Sequence, residues 1–307
     1  MTQAATVPQA EQIGAAPGLS AEARIFAILA IIVVGLLALA FLLPYLAPHQ
    51  PNQISLRNRL LPPFWMARGS YDYLLGTDHL GRCVLSRLLH GARLSWLIAL
   101  GATIVSCLFG ATVGLIAGYA GGRWDAIIMR WVETHIAFPG LLIVLLLLAV
   151  LGTNLATLIL VLAFNGWMVF AGVTRNQVLI TRKLPYVEAA ETLGCSSFHV
   201  IVRHIAPNLV PTLITLSVLE FARLTLAESA ISFLGLGVQP PDISWGFDVA
   251  NGRNYLLNAW WLVTVPGMAI AFTVFAMNLV ARWLRNSLNP EARERSFARS
   301  ALAGKVE

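Results

Sequence analysis

The sequence predicts an all-α integral membrane protein with about six transmembrane helices, and three observations carry that expectation. The 307 residues are 57% hydrophobic and only 12% charged, with a mean hydropathy of +0.72, far from the composition of soluble domains. Apolar residues gather into runs of about 20, the length that spans a hydrocarbon core of about 30 Å as a helix. Short polar stretches separate the runs, and no internal repeat or composition shift marks off a soluble domain.

In chain order, Met1–Ser20 is rich in Ala, Gln and Pro without a basic leader, so residues 1–24 are expected to form a tail and not a cleaved signal. Ile25–Leu46 is the first apolar run. Residues 47–93 form a polar connection ending in an amphipathic helix, with Val84, Leu85, Leu88 and Leu89 on one face and Arg82, Arg87 and His90 off it; it is expected to lie at the membrane interface. Further spans are expected at Leu94–Tyr119, Ile136–Gly152, Leu155–Val173, Leu209–Leu234 and Ala259–Trp283 within a core of residues 94–285. Pro139 and Pro266 fall in or at the ends of spans, where neighbouring helices re-satisfy freed carbonyls. Residues 286–307 form a C-terminal tail.

The insert Thr181–Asn208, TRKLPYVEAAETLGCSSFHVIVRHIAPN, is polar where its surroundings are apolar. It reads as two short helices. Pro185 starts the first, Gly194 suits a left-handed turn after Leu193, Ser197 caps the second, and Pro207 ends it. Basic residues mark the cytoplasmic side of short loops. Arg123, Arg130, Arg175, Arg182, Lys183, Arg203, Arg282, Arg285, Arg293, Arg295, Arg299 and Lys305 share a side with the insert and both termini, against Arg57, Arg59, Arg68, Arg82, Arg87 and Arg93 opposite. The insert and both termini are therefore expected to be cytoplasmic.

The string EAAETLG at Glu188–Gly194, followed by HIAPN at His204–Asn208, resembles the EAA motif of the permease subunits of binding-protein-dependent ABC importers. LLGTDHLGRCVLSRLLHGARLSW (Leu74–Trp96), GYAGGRWD (Gly118–Asp125) and ESAISFLGLGVQPPDISWG (Glu228–Gly246) resemble the dipeptide, oligopeptide and nickel branch, in the subunit with one extra N-terminal helix. The chain departs from the family at Ala206, Cys83, Asn286 and Asn289, the last three standing where acidic residues are usual, so any local ion pairs made there are in doubt.

The resemblance implies a type I ABC importer permease fold with an N-terminal extra helix, in the bacterial inner membrane. It implies a homologous second permease, two ATPase subunits and an extracytoplasmic binding protein, with ATP and Mg held by the ATPases and no cofactor in this chain. Glu188, Ala189, Ala190, Gly194, Arg203, His204 and Pro207 are the residues implied to couple to the ATPase, Ala189 and Ala190 by admitting a partner closely. Peptides are the implied substrate, with nickel, glutathione-like compounds or sugar conjugates as alternatives.

The residues themselves narrow the function classes. The chain's two lysines, Lys183 and Lys305, lie outside any GxxxxGK[ST] loop, and no HExxH or GxSxG occurs. An enzyme is not expected, and without repeated halves a stand-alone secondary transporter is disfavoured. The net charge of +6 flanks apolar runs and forms no aromatic-interleaved stripe, so lipid headgroups and not nucleic acid are the expected partner. Cys83, Cys107 and Cys195 lack disulfide or zinc spacing. Cys83 and Cys195 are expected to report opposite sides of the membrane, Cys83 being the first reached from outside. Ionisable residues inside a span are costly and informative. Glu220, Arg223 and Glu228 share the fifth, where Glu220 and Arg223 either line a hydrated pathway or form a structural pair, and Glu228 is assigned to a gate or pathway wall.

Overall fold

Four helices long and apolar enough to cross a membrane, with one sharply bent pair, form the described part of the chain, residues 41–288 with Gly35 and Ala38 of the computed structural model. The crossing helices are α1 (Val84–Ala120), α4 (Leu155–Thr181), α6 (Ser197–Phe233) and α8 (Trp261–Leu288); the bent pair is α2 (Gly122–Ala137) and α3 (Gly140–Leu151). Two short helices, α5 (Pro185–Thr192) and α7 (Trp245–Gly252), close opposite ends of the bundle. The expected first span and both tails lie largely or wholly outside the described residues.

Several boundaries differ from the sequence expectation. The segment from Val84 to Arg93 is the start of α1, whose 37 residues make a rod of about 55 Å, well beyond a hydrocarbon core. Arg87, expected off the apolar face, is 3% exposed because it pairs with Asp248 on α7. Cys83 is 2% exposed, since the chain from His49 to Arg82 folds over the start of α1; Cys195 is exposed, so only one of these two thiols can report a side.

The expected span Ile136–Gly152 is also corrected. Its continuous helix, α3, has 12 residues, about 18 Å, and α2 meets it at 89°. Proline cannot donate and drives the preceding residue to extended backbone, and Phe138 adopts φ −94°, ψ 142°. One span is thus broken in two. Two successive glycines with positive φ, Gly121 at 64° and Gly122 at 54°, join α1 to α2 in backbone conformations that side chains with a Cβ rarely adopt.

The core sits between α1 and α4. Gly110, Gly114 and Gly118 repeat every fourth residue on one face of α1, where small residues let helix backbones meet in lipid. A methyl group on each would fall 2.2 Å from the Trp167 carbonyl oxygen, 2.3 Å from that of Ala171, and 2.8 Å from the Val178 Cβ. Nearer the start of α1, Trp96 and Ala99 pack with Phe221 of α6, Trp245 of α7 and Ile270 of α8.

Candidate functional site

The insert's first helix runs Pro185–Thr192, and its end is a left-handed reversal. Gly194 has φ +81°; its N–H donates to Glu191 and that of Cys195 to Ala190, each at 3.1 Å, which satisfies the last carbonyls of α5. The second helix is capped by Ser196, whose side chain accepts from the His199 N–H at 3.3 Å, one residue before the expected cap at Ser197.

Pro207 does not end that helix. A wider turn at Ile201–Ile205 precedes the proline, and the helix continues unbroken to Phe233. Such a turn re-registers the backbone bonds around the donor that proline lacks, so the insert becomes the first turns of α6.

One face of the insert is sealed. Val187, Ala190, Val200, Ile205 and Leu209 pack with Val178 of α4, and with Leu115 and Tyr119 of α1. The Arg182 guanidinium donates to the Tyr119 carbonyl at 2.7 Å, stands over the Tyr119 ring and pairs with Glu191 at 3.7 Å. Ala190 therefore serves internal packing, whereas Ala189 faces out with Glu188, Glu191 and Arg203. His204 is half-buried near the Tyr186 ring, and Asn208 donates to the Tyr186 hydroxyl at 2.9 Å. Leu193 and Phe198, 84% and 77% exposed, stand beside the turn at Gly194. They were not among the sequence-derived site residues because exposure, and not residue type, sets them apart.

A second polar group lies within the spans. Arg223 donates from Nε to Glu220 at 2.8 Å and from its Nη atoms to the side chain and carbonyl of Asn165 at 2.9 and 3.3 Å. Asn165 in turn abuts Gly140, where a Cβ would sit 2.3 Å from its Nδ2. The pair thus ties α6 to α4 beside the α2–α3 break. Glu228 stands apart from it. Fully buried, it accepts from Ser232 at 2.7 Å, with Ser229, Ser244 and Ser95 also around it.

At the end opposite the insert, Arg87 binds Asp248 and also reaches the Asn52 side chain at 3.2 Å, and Asp78 holds Arg82 at 2.6 Å. Burial keeps the Asp248 carboxyl above the usual carboxylate range, against the pull of Arg87. Removing one partner of a buried pair costs about 3–5 kcal/mol, so Arg87→Met is expected to lower thermal stability strongly in detergent. A raised native pKa favours the protonated form, and its contribution is present below the unfolded value and lost as pH rises through the folded one. The variant's deficit is therefore expected to be smallest in acid and to widen with pH, read by melting temperature across a pH series. A deficit independent of pH would remove Asp248 as its cause.

The described residues thus combine a multi-span helical core, a folded polar insert at one end and a broken span beside internal charges. The chain belongs to the family described as binding-protein-dependent transport system inner membrane component, whose model matches residues 110–294. It is a non-catalytic permease subunit. It is 38% identical over 263 residues to the probable D,D-dipeptide transport system permease protein DdpC of Escherichia coli, with 86% of each chain covered. To the di/tripeptide transport system permease protein DppC of Pseudomonas aeruginosa it is 37% identical over 252 residues, covering 82% of this chain and 83% of the relative. Its fold is similar to a chain of the inward-facing MetNI methionine ABC transporter, with a TM-score of 0.55 at 12% identity over 66% of this chain and 96% of that one. The expected ABC importer permease fold is thereby borne out.

Proposed function

We propose that this subunit forms half of the translocation pathway of an ABC importer for di- or oligopeptides. The observation that carries the reading is the insert, folded against its own helices on one face and presenting Glu188, Leu193 and Phe198 on the other. That outer face docks an ATPase subunit on the cytoplasmic side, where both termini also lie. A homologous second permease completes the pathway, an extracytoplasmic binding protein delivers substrate, and ATP and Mg²⁺ are held by two ATPase subunits. The peptide-permease relatives support peptides as the substrate class. Glu220 and Arg223 line the pathway, whereas Glu228, expected at a gate or pathway wall, has its carboxyl fully buried and acts indirectly by fixing α6 against its neighbours. Closure of the ATPases moves the insert and rocks the attached helices between two access states.

The experiment is uptake of a labelled dipeptide into vesicles holding the full complex and its binding protein. Uptake is expected only with ATP and all partners, and Glu188→Arg is expected to let the subunit insert while transport falls at least tenfold. Uptake by this chain alone, driven by an ion gradient, would overturn the importer reading.

A further inference from the structure

Arg223 stands ten residues before the end of α6, and Asn165 ten residues after the start of α4. At a rise of 1.5 Å per residue, both lie about 15 Å from the same end of the bundle, the middle of a hydrocarbon core of about 30 Å. There the Glu220 side chain is 6% exposed and that of Arg223 41% exposed. A cation open to this degree at that depth cannot face lipid tails, since charged groups in spans face a bundle interior or a water-filled cavity.

The backbone at the same level points the same way. The α2–α3 break at Phe138 and Pro139 adjoins Asn165 through Gly140, and irregular backbone at membrane depth is tolerated where protein buries it or where it lines a hydrated cavity. Phe138 is 60% exposed, so this subunit does not bury it.

The geometry also fixes which charge is offered. Glu220 and Asn165 accept from Nε, one Nη1 hydrogen and one Nη2 hydrogen of Arg223, leaving two of the five guanidinium donors unused. Because the anionic partner is buried and the cationic one is open, the pair presents a fixed dipole with its positive end outward. From this we infer that Arg223 is a contact for the substrate's carboxylate group midway along the pathway, an inference that rests on the pathway role proposed above. Glu220 and Asn165 are its positioning residues. With two free donors and a neutralised charge, the contact is weak, as passage requires: a site on a conduction route must release what it binds.

The test uses the whole complex in vesicles with alanyl-alanine as the transported peptide. Cys83, Cys107 and Cys195 are replaced by serine, Arg223→Cys is introduced, and water-soluble aminoethyl and sulfonatoethyl methanethiosulfonates are applied. Modification is expected, with transport restored at least fivefold by the cationic adduct and not by the anionic one. Modification without this charge dependence would overturn the carboxylate inference while leaving the pathway reading intact. No modification in the assembled complex would place Arg223 away from water and overturn both.

Three further variants guard against misfolding and a purely structural role. Arg223→Lys is expected to transport at least fivefold faster than Arg223→Gln, and equal rates in complexes that co-purify equally would overturn the inference. The Glu220→Gln, Arg223→Gln double variant is expected to assemble normally yet transport poorly. Recovery of transport with assembly would make the pair a scaffold only.

Discussion

Gly114→Leu is expected to remove the folded subunit from membranes, because the new side chain would begin 2.3 Å from the Ala171 carbonyl oxygen. Backbone cannot step aside as the tip of a flexible side chain can. Overpacking costs about 1–3 kcal/mol in ordinary cores and more against rigid neighbours, so a loss of about 3 kcal/mol, or more than a hundredfold in the folded fraction, is expected. The measurement is the yield of monodisperse subunit after mild detergent extraction. Gly172→Leu is the control, since a Cβ there meets nothing within 4 Å and leucine is the better helix former. Equal yields for the two variants would mean that α1 and α4 do not pack through this glycine face.

Leu193→Asp and Phe198→Asp are expected to do the opposite, sparing the subunit and abolishing its coupling. Both side chains are mostly exposed, so each substitution removes little internal packing. If the ATPase covers them, each buries a carboxylate against an apolar partner surface, which costs several kcal/mol unless paired. Co-purification of the ATPase and ATP-driven uptake should each fall at least tenfold, while extraction yield stays within about twofold of the parent, as surface substitutions usually allow. Val187→Asp, at a position 0% exposed on the sealed face, should lose yield as well. Unchanged uptake by both exposed variants would exclude this face as the docking surface.

The helical class, most of the long spans and the left-handed turn at Gly194 were legible because each rests on local chemistry: run length, proline placement and a glycine at a helix end. What escaped depended on distant partners. Arg87 and Asp248 are 161 residues apart, so nothing near either announces the pair, and an arginine beside leucines reads as interfacial. The break at Pro139 was hidden because a proline near a span's start is compatible with an intact helix. Pro207 misled for the converse reason, as the wider turn before it keeps α6 continuous. Gly110, Gly114 and Gly118 were not singled out, although a four-residue repeat of small residues inside an apolar run is a spacing that would have nominated a packing face. For Glu220 and Arg223 the spacing gave the pair but not the unequal exposure, which requires α4 to be in place.

The continuity of α6 has a mechanical consequence. From Ser197 to Phe233 one rod of about 55 Å carries the exposed Phe198 at one end and the Glu220–Arg223 pair two thirds of the way along. Bending stiffness is lowest where backbone bonds are missing or re-registered, and that weak section is Ile201–Pro211, bracketed by the wide turn and by Pro207 and Pro211. Its inner side is clamped to α1 and α4 through Ile205 and Leu209, so the compliant section is also the fulcrum. On the docking proposed above, a push on Phe198 bends α6 at this held section before it displaces the polar level, so the section sets how much of the stroke arrives there.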